Sequence, residues 1–373
     1  MMIRFIILVA CICLFIFSWP TIDKKLEKTE FHETIDLIES KIENFDIKPI
    51  IDKFQHVLND FGIEKNEQLP IQQKSEEKRN EKVSLKSPNS HMFSIHNIEI
   101  GDRKKDVEKQ AGMAKRASMN EYGTKWFAYH ENYHHFFMTM YDKDNRVIGL
   151  YSNQNLITST NGIKLGVPKK TVRTKLGEPL SGIRKGLIMY QFQKNSEYDV
   201  YLIDDMYVTI FYDKHSNNTV TAIQLISKNV EQQKKDYYTK PNQKLVLGFE
   251  YQLFDLTNSS RVNHHLPILS WDQHVQVTAR NHSKDMAEHQ FFDHTNLKGQ
   301  SPFDRMSQDH IRFLLAGENI AYGQLSSIFA HEGLMNSLGH RKNILHRDYK
   351  YLGTGVAFNE ESQPFYTQDF YAK

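Results

Sequence analysis

His294, Glu318 and His340 are the residues whose types and settings most directly suggest chemistry. They stand in Phe291-Phe292-Asp293-His294, Gly317-Glu318-Asn319-Ile320-Ala321 and Gly339-His340-Arg341-Lys342-Asn343-Ile344-Leu345. Two imidazoles converging on one point can bind zinc or another divalent cation, with water completing the shell. Glu318 could then polarise that water, or hold one histidine in a single tautomer. Equally, the three side chains could form a hydrogen-bonded network that pins the loops of a cleft. No Ser-His-Asp or Cys-His arrangement is evident, so nucleophilic catalysis has no candidate.

A second constellation looks stronger and is weaker. His130-Glu131-Asn132-Tyr133-His134 matches the H-E-x-x-H pattern of zinc peptidases. That pattern works only on a helix, where residues i and i+4 share a face. Here Lys125-Trp-Phe-Ala-Tyr129 and His135-Phe-Phe-Met-Thr-Met140 flank it, and these are strand formers. The expectation is a hairpin turning at Glu131-Asn132.

The elements that must position the first site lie between about 245 and 373. Phe249, Leu253 and Leu256 share a helical face, and that helix should stop before Pro267. Ser270-Trp-Asp-Gln273 reads as a capping box opening a helix to about Gln290. On that helix Val275, Ala279, His282 and Met286 form one stripe, so His282 reads as a core histidine. Ser301-Pro-Phe-Asp304 starts another helix. Ser326 to Leu338 reads as a helix ended by Gly339, and Gly317 as a turn residue. Strands are expected at Gly353-Thr-Gly-Val-Ala and Phe365-Tyr-Thr-Gln-Asp-Phe370. Apolar residues on both sides of these strands imply a sheet covered by helices on both faces.

Residues 96–238 contain an internal repeat. Ile98-Glu-Ile-Gly101 through Gly112 aligns with Ile163-Lys-Leu-Gly166 through Gly177, each reading as strand, turn, helix and glycine cap. β-rich sequence follows each copy, ending in Tyr141-Asp142 and Tyr212-Asp213 turns. The expectation is an α+β domain of two related halves, with the lysine pairs 104–105 and 169–170 on solvated helix faces. The fold class is therefore α+β, with this domain separate from an α-β-α sandwich at the C-terminus.

Ahead of the repeat, residues 21–95 are rich in Lys, Glu, Asn and Gln and read as a helical and disordered tether. Residues Phe5 to Trp19, within an expected anchor at 1–20, form an apolar run short of the roughly 20 residues that span a bilayer comfortably. Without a small-x-small cleavage pattern before Thr21, an uncleaved signal-anchor is favoured over secretion after cleavage. The two cysteines, Cys11 and Cys13, fall in this run, which leaves the remainder without disulfides. An exported, cysteine-free chain fits a bacterial envelope. Net charge is +2 from 47 basic and 45 acidic residues, so no global field argues for nucleic acid.

The C-terminal residues carry a resemblance. Leu256-x-Asn258-x-x-Arg261, Leu266-Pro267-x-Leu269-x-Trp271-Asp272, His282-Ser283-x-Asp285-Met286, Phe292-x-His294-Thr295, Ser301-Pro302-Phe303, Gly317-Glu318-Asn319-Ile320-Ala321, Met335-Asn336-Ser337-x-Gly339-His340-Arg341-x-Asn343-Ile344-Leu345, Gly353-x-Gly355-Val356 and Thr367-Gln368-Asp369-Phe370 occur in the order of bacterial CAP/SCP domains. The repeat region resembles the CAP-associated N-terminal domain of spore-forming Gram-positive bacteria. The resemblance implies an α-β-α sandwich whose cleft holds two histidines and two acids. His294, Glu318 and His340 match three of those places. The fourth, a carboxylate just before the glycine-histidine pair, is Leu338 here, and Glu332 is a nearby carboxylate outside that position.

Two functions follow as expectations. One is a non-enzymatic, membrane-anchored extracytoplasmic module whose cleft binds a divalent metal, a lipid, a wall component or a partner protein. The other is a metal-assisted, peptidase-like hydrolase using His294, Glu318 and His340, with Glu332 as a further carboxylate. In either case His294 and His340 are the candidate ligands for zinc or another divalent cation.

Overall fold

The computed structural model describes residues 83–193 and 196–373. The apolar run, the two cysteines and most of the charged stretch lie outside the described residues. Among the described residues, no helix is long and apolar enough to cross a membrane. The folded part begins earlier than the sequence reading placed it. Phe93–Ile95 is already a strand, β1, and the backbone N–H groups of Asn89, Ser90 and His91 all donate to Glu99.

The N-terminal domain continues with α1 (Lys104–Ala111), β2 (Arg116–Met119), β3 (Lys125–Glu131), β4 (His134–Tyr141), β5 (Val147–Ser152) and β6 (Ile157–Ser159). The second half supplies α2 (Lys169–Leu176), β7 (Gly182–Lys185), β8 (Ile188–Gln191), β9 (Tyr198–Ile203), β10 (Met206–Asp213), β11 (Thr219–Ser227) and α3 (Lys228–Gln233). The halves share one seven-stranded antiparallel sheet, ordered β2-β3-β4-β5-β11-β10-β9 and joined where β5 pairs with β11. The repeat is exact in its punctuation. Each helix buries one valine, Val107 or Val172, and ends at a glycine with positive φ, Gly112 at 76° or Gly177 at 80°. That backbone conformation is cheap only without a Cβ.

Two local expectations are corrected here. Lys104 lies 4.4 Å above the Phe127 ring, and Lys169 lies 4.8 Å above Tyr212 and 3.6 Å from Asp199. The first lysine of each pair thus braces its helix against the sheet instead of facing water. The zinc-peptidase lookalike is a β3–β4 hairpin as expected, but its turn is Asn132-Tyr133, with φ of 46° and 63°. His130 stacks on Tyr133 and accepts its backbone N–H at 3.0 Å.

The C-terminal domain comprises α4 (Gln243–Asn263), β12 (Ser270–Trp271), α5 (Gln273–His289), α6 (Pro302–Gln308), β13 (Leu315–Tyr322), α7 (Ser327–Asn336), α8 (Leu338–Ile344), β14 (Tyr351–Phe358) and β15 (Pro364–Ala372). Its sheet order is β12-β14-β15-β13. Period-two alternation along β14 builds the sandwich. Thr354 Oγ1 donates to Glu250 O on α4 at 2.8 Å, whereas a Cβ on Gly353 or Gly355 would collide with the α5 backbone. The two glycines let α5 lie directly on the strand. Helix starts also differ in detail. Asp272, not Ser270, caps α5 by accepting from His274 and Val275, while Ser270 and Trp271 pair in parallel with β14. Gly339 ends no helix, because the helix is interrupted at Ser337 and Gly339 is the second residue of α8.

The two domains share a core. One face of the seven-stranded sheet packs on α1 and α2, through Tyr129, Phe137, Val208, Ile210, Ile223 and Leu225. The other face presents Trp126, Met138, Met140, Tyr151, Phe211 and Ile226 to Phe249, Leu253 and Phe254 of α4 and to Ile328 and Leu334 of α7. With both faces covered, β4 is buried from Phe136 to Tyr141 without alternation. Polar anchors cross the contact. Asp255 accepts from Arg116 Nε at 2.9 Å, Arg116 Nη2 at 3.1 Å and the Tyr133 hydroxyl at 2.8 Å. Gly248 lets α4 approach the Met119 backbone so closely that a Cβ there would overlap it.

Candidate functional site

His294 sits in the loop between α5 and α6, and that loop is tied at several points. His282 is buried on the α5 stripe, and its Nε2–H donates to Asp293 O at 3.0 Å. Burial, more than any neighbouring charge, lowers its pKa and keeps the ring neutral. Asp293 Oδ1 accepts the Thr295 N–H at 2.7 Å, and Asn296 Oδ1 accepts from Lys298 and Gln300. A complete Ser301–Asp304 capping box starts α6. One turn later Arg305 points back, donating from Nη1 to His294 O at 2.8 Å and Gln300 O at 3.1 Å.

Glu318 is carried by β13, at the edge of the sheet, with its side chain only 1% exposed. Its Oε1 accepts from His294 Nδ1 at 2.7 Å, and its Oε2 pairs with Arg305 Nη2. Both carboxylate oxygens are thereby engaged. The tautomer of His294 follows, since Nδ1 must carry hydrogen to donate to the carboxylate. The bond to Glu318 raises the His294 pKa above its ordinary value, outweighing partial burial.

His340 lies in the first turn of α8, half-buried, and its pKa is lowered by burial and then by the charge of His294. His340 and the Glu318 strand that holds His294 are joined through backbone and amide contacts. A side-chain amide chain fixes the strand and helix against each other. Asn343 Nδ2 donates to Glu318 O at 3.0 Å and Asn319 Oδ1 at 2.9 Å, and Asn319 Nδ2 donates to His340 O at 3.1 Å. Gly317 lies within β13 and is no turn residue. A Cβ there would strike the Tyr349 hydroxyl, so close approach explains this glycine.

Three other carboxylate or imidazole candidates are placed elsewhere. Glu332 is buried on α7, facing the N-terminal domain, where Tyr151 donates to it at 2.7 Å. Burial pushes its pKa up to about 7. His130 and His134 belong to the hairpin described above. Leu338 is 56% exposed at the start of α8, so no acid occupies the position the resemblance assigned to one.

Sequence reasoning missed Arg305 and Asp369. The Ser301-Pro302 helix start located the helix that carries Arg305, but its partner lies across the fold. Asp369 pairs in register with Glu318 across β13 and β15 and is fully buried beside that carboxylate. Burial, followed by the Glu318 charge, pushes its pKa far above the carboxylate range, so it stands as a neutral acid behind Glu318.

The donor set falls short of a catalytic ion site. Such sites ordinarily have three protein ligands plus water. Among the described residues, no group of three or more His, Cys, Asp or Glu side chains is arranged to hold a metal ion. His294 and His340 offer two imidazoles, and Arg305 competes for Glu318.

Known proteins resemble this chain in both domains. Residues 100–237 match the CAP-associated N-terminal family and residues 254–370 the cysteine-rich secretory protein family. The membrane protein YlbC of Bacillus subtilis (strain 168) is 30% identical over 303 residues, covering 76% of this chain and 84% of that protein. YkwD of the same organism is 38% identical over 128 residues, 34% of this chain and 49% of its own length. An extracellular SCP-domain protein of Bacillus anthracis superposes with a TM-score of 0.63 at 25% identity, over 81% of this chain and 100% of that one. A cysteine-rich secretory protein of Staphylococcus aureus superposes at 0.59 and 16% identity, over 78% and 100%. The chain belongs to the cysteine-rich secretory protein (CAP/SCP) family, in the form that carries a CAP-associated N-terminal domain ahead of the CAP domain.

Proposed function

We propose that this chain is a membrane-tethered, extracytoplasmic binding module of a Gram-positive envelope, with the His294–Glu318–His340 cleft as its ligand site. The observation that carries this reading is the full engagement of Glu318 by His294 and Arg305. A carboxylate held on both oxygens is a structural anchor and a poor general base. When His294 is protonated, the His294–Glu318–Arg305 group carries one net positive charge. The ligand class that suits it has an anionic head. Phe292, Tyr322 and Leu338 are exposed near these residues in sequence, at 47%, 45% and 56%, and favour an apolar portion beside that head. A lipid, a wall component or a partner protein can each supply this combination.

sn-Glycerol 3-phosphate is a simple probe of the head group. Titrated into the protein by calorimetry and histidine-detected NMR, it should bind weakly, perturb His294, and lose affinity as pH rises above the His294 pKa. His294→Ala should abolish the response. No perturbation at tens of millimolar would remove this reading. The hydrolase alternative predicts instead that zinc supports cleavage of peptide or wall fragments and that His340→Ala abolishes it.

A further inference from the structure

Among the described residues the β7–β8 hairpin pairs with no other strand, and it is fastened to the domain from its first residues up to Lys185 beside the turn. Leu180 N–H donates to Val200 O at 2.8 Å and Phe192 N–H to Ser181 O at 2.9 Å. Lys185 Nζ reaches Glu231 and the Lys234 carbonyl, and the Tyr190 hydroxyl reaches Lys235 O at 3.1 Å. A two-residue turn, Gly186-Leu187, caps it, with Gly186 at a φ of 60°. Beyond this anchored base Leu187 is 98% exposed, Ile188 57% and Met189 42%. Three consecutive large apolar side chains are thus exposed at the turn of a hairpin whose position is fixed.

Charge singles out the partner. Arg184 is exposed beside the tip, and no Asp or Glu occurs from Ser181 to Gln193. An apolar tip with a basic flank matches the interfacial zone of a bilayer containing anionic lipids, where apolar side chains sit below the head groups and cations among them. The chain supplies its own route to that surface, since the Phe5–Trp19 run is joined to the described residues by 20–82. Tethering raises the local concentration of bilayer, so a contact too weak to act alone becomes occupied. We infer that the β7–β8 tip rests on the surface of the membrane that carries the chain, with Leu187, Ile188 and Met189 inserted at the interface. This inference rests on the membrane-tether reading of the N-terminal run.

The test uses the full chain with Cys11→Ser and Cys13→Ser, reconstituted into phosphatidylcholine–phosphatidylglycerol liposomes. A single cysteine is placed at Leu187→Cys or, as a control, at Met113→Cys, which is 71% exposed, and labelled with a polarity-sensitive fluorophore. The protein should float with the liposomes. Nitroxide lipids should quench the label at 187 at least twofold more than the label at 113, and Ile188→Glu should erase that difference. Flotation with equal quenching at both sites would overturn the hairpin contact and leave the tether intact. Absence of flotation would overturn both. A blue-shifted label at 187 that nitroxide lipids fail to quench would assign the tip to contact between copies of the chain, and so overturn the membrane contact.

Discussion

Glu332→Gln is the substitution whose outcome follows most directly from the geometry. The Glu332 carboxyl is buried between α7 and the sheet, accepts the Tyr151 hydroxyl, and has its pKa raised from 4.5 to about 7. Burial is the main cause, with the Asp213 charge adding to it. Ionising the group therefore costs about 3 kcal/mol more in the folded chain than in the unfolded one. A raised carboxyl pKa contributes stability that is complete below 4.5 and is lost as pH climbs through 7. Between about pH 5 and pH 7.5 this group alone should remove about 2 kcal/mol. Glutamine keeps an acceptor for Tyr151 but cannot ionise. Urea unfolding of both proteins across that range should show the variant losing about 2 kcal/mol less than the wild type. Glu121, also buried and raised to about 7, contributes its own slope to both proteins, so the difference between them isolates Glu332. Parallel stability profiles would refute the placement of Glu332 in a dry contact between the domains.

Arg305→Leu leaves Glu318 buried with one uncompensated oxygen, and should destabilise the protein by about 3 kcal/mol or more in urea. Glu318→Gln removes the carboxylate that raises the His294 pKa, so proton NMR should find that histidine titrating at lower pH; an unchanged value would separate the two residues. Leu338→Glu supplies an acid two residues before His340 and should tighten zinc binding by about tenfold in calorimetry, whereas equal affinity would place residue 338 away from the imidazoles. Asp369→Asn replaces a neutral buried acid with a neutral amide and should raise stability most above pH 7, because the wild-type group resists ionisation there.

The sequence made the sandwich legible wherever a local rule was sufficient. The Ser301–Asp304 capping box, the glycines ending α1 and α2, and the apolar stripe of α5 each act over a few residues, and each appears where spacing placed it. His294, Glu318 and His340 could be named because each sits in a distinctive short motif. What stayed hidden is non-local. Arg305 and Asp369 acquire their roles only from strand register and from a side chain folded back over a loop. Helix α4 is the clearest example. Gln252, Asp255, Ser259 and Ser260 are buried on it, so its polar face imitates a solvated one in sequence. The residues that accept this face, among them Arg116, Asn153 and Gln154, belong to the other domain. Gly317 was misread for the same reason, since its cause is the hydroxyl of Tyr349, distant in sequence.

The fitted contact at Gly248 bears on how this molecule can be taken apart. Parting that helix, α4, from the neighbouring strand would expose Phe249, Leu253 and Phe254 on one side and Trp126, Met138 and Tyr151 on the other to water. The linker after α3 marks a boundary of recurring sequence families, and the shared core predicts that the two sides unfold as one cooperative unit. Nicking it with a protease should leave two pieces that remain associated and melt together. A gene fragment encoding only the histidine-bearing half should yield an aggregating product, however complete its motifs look.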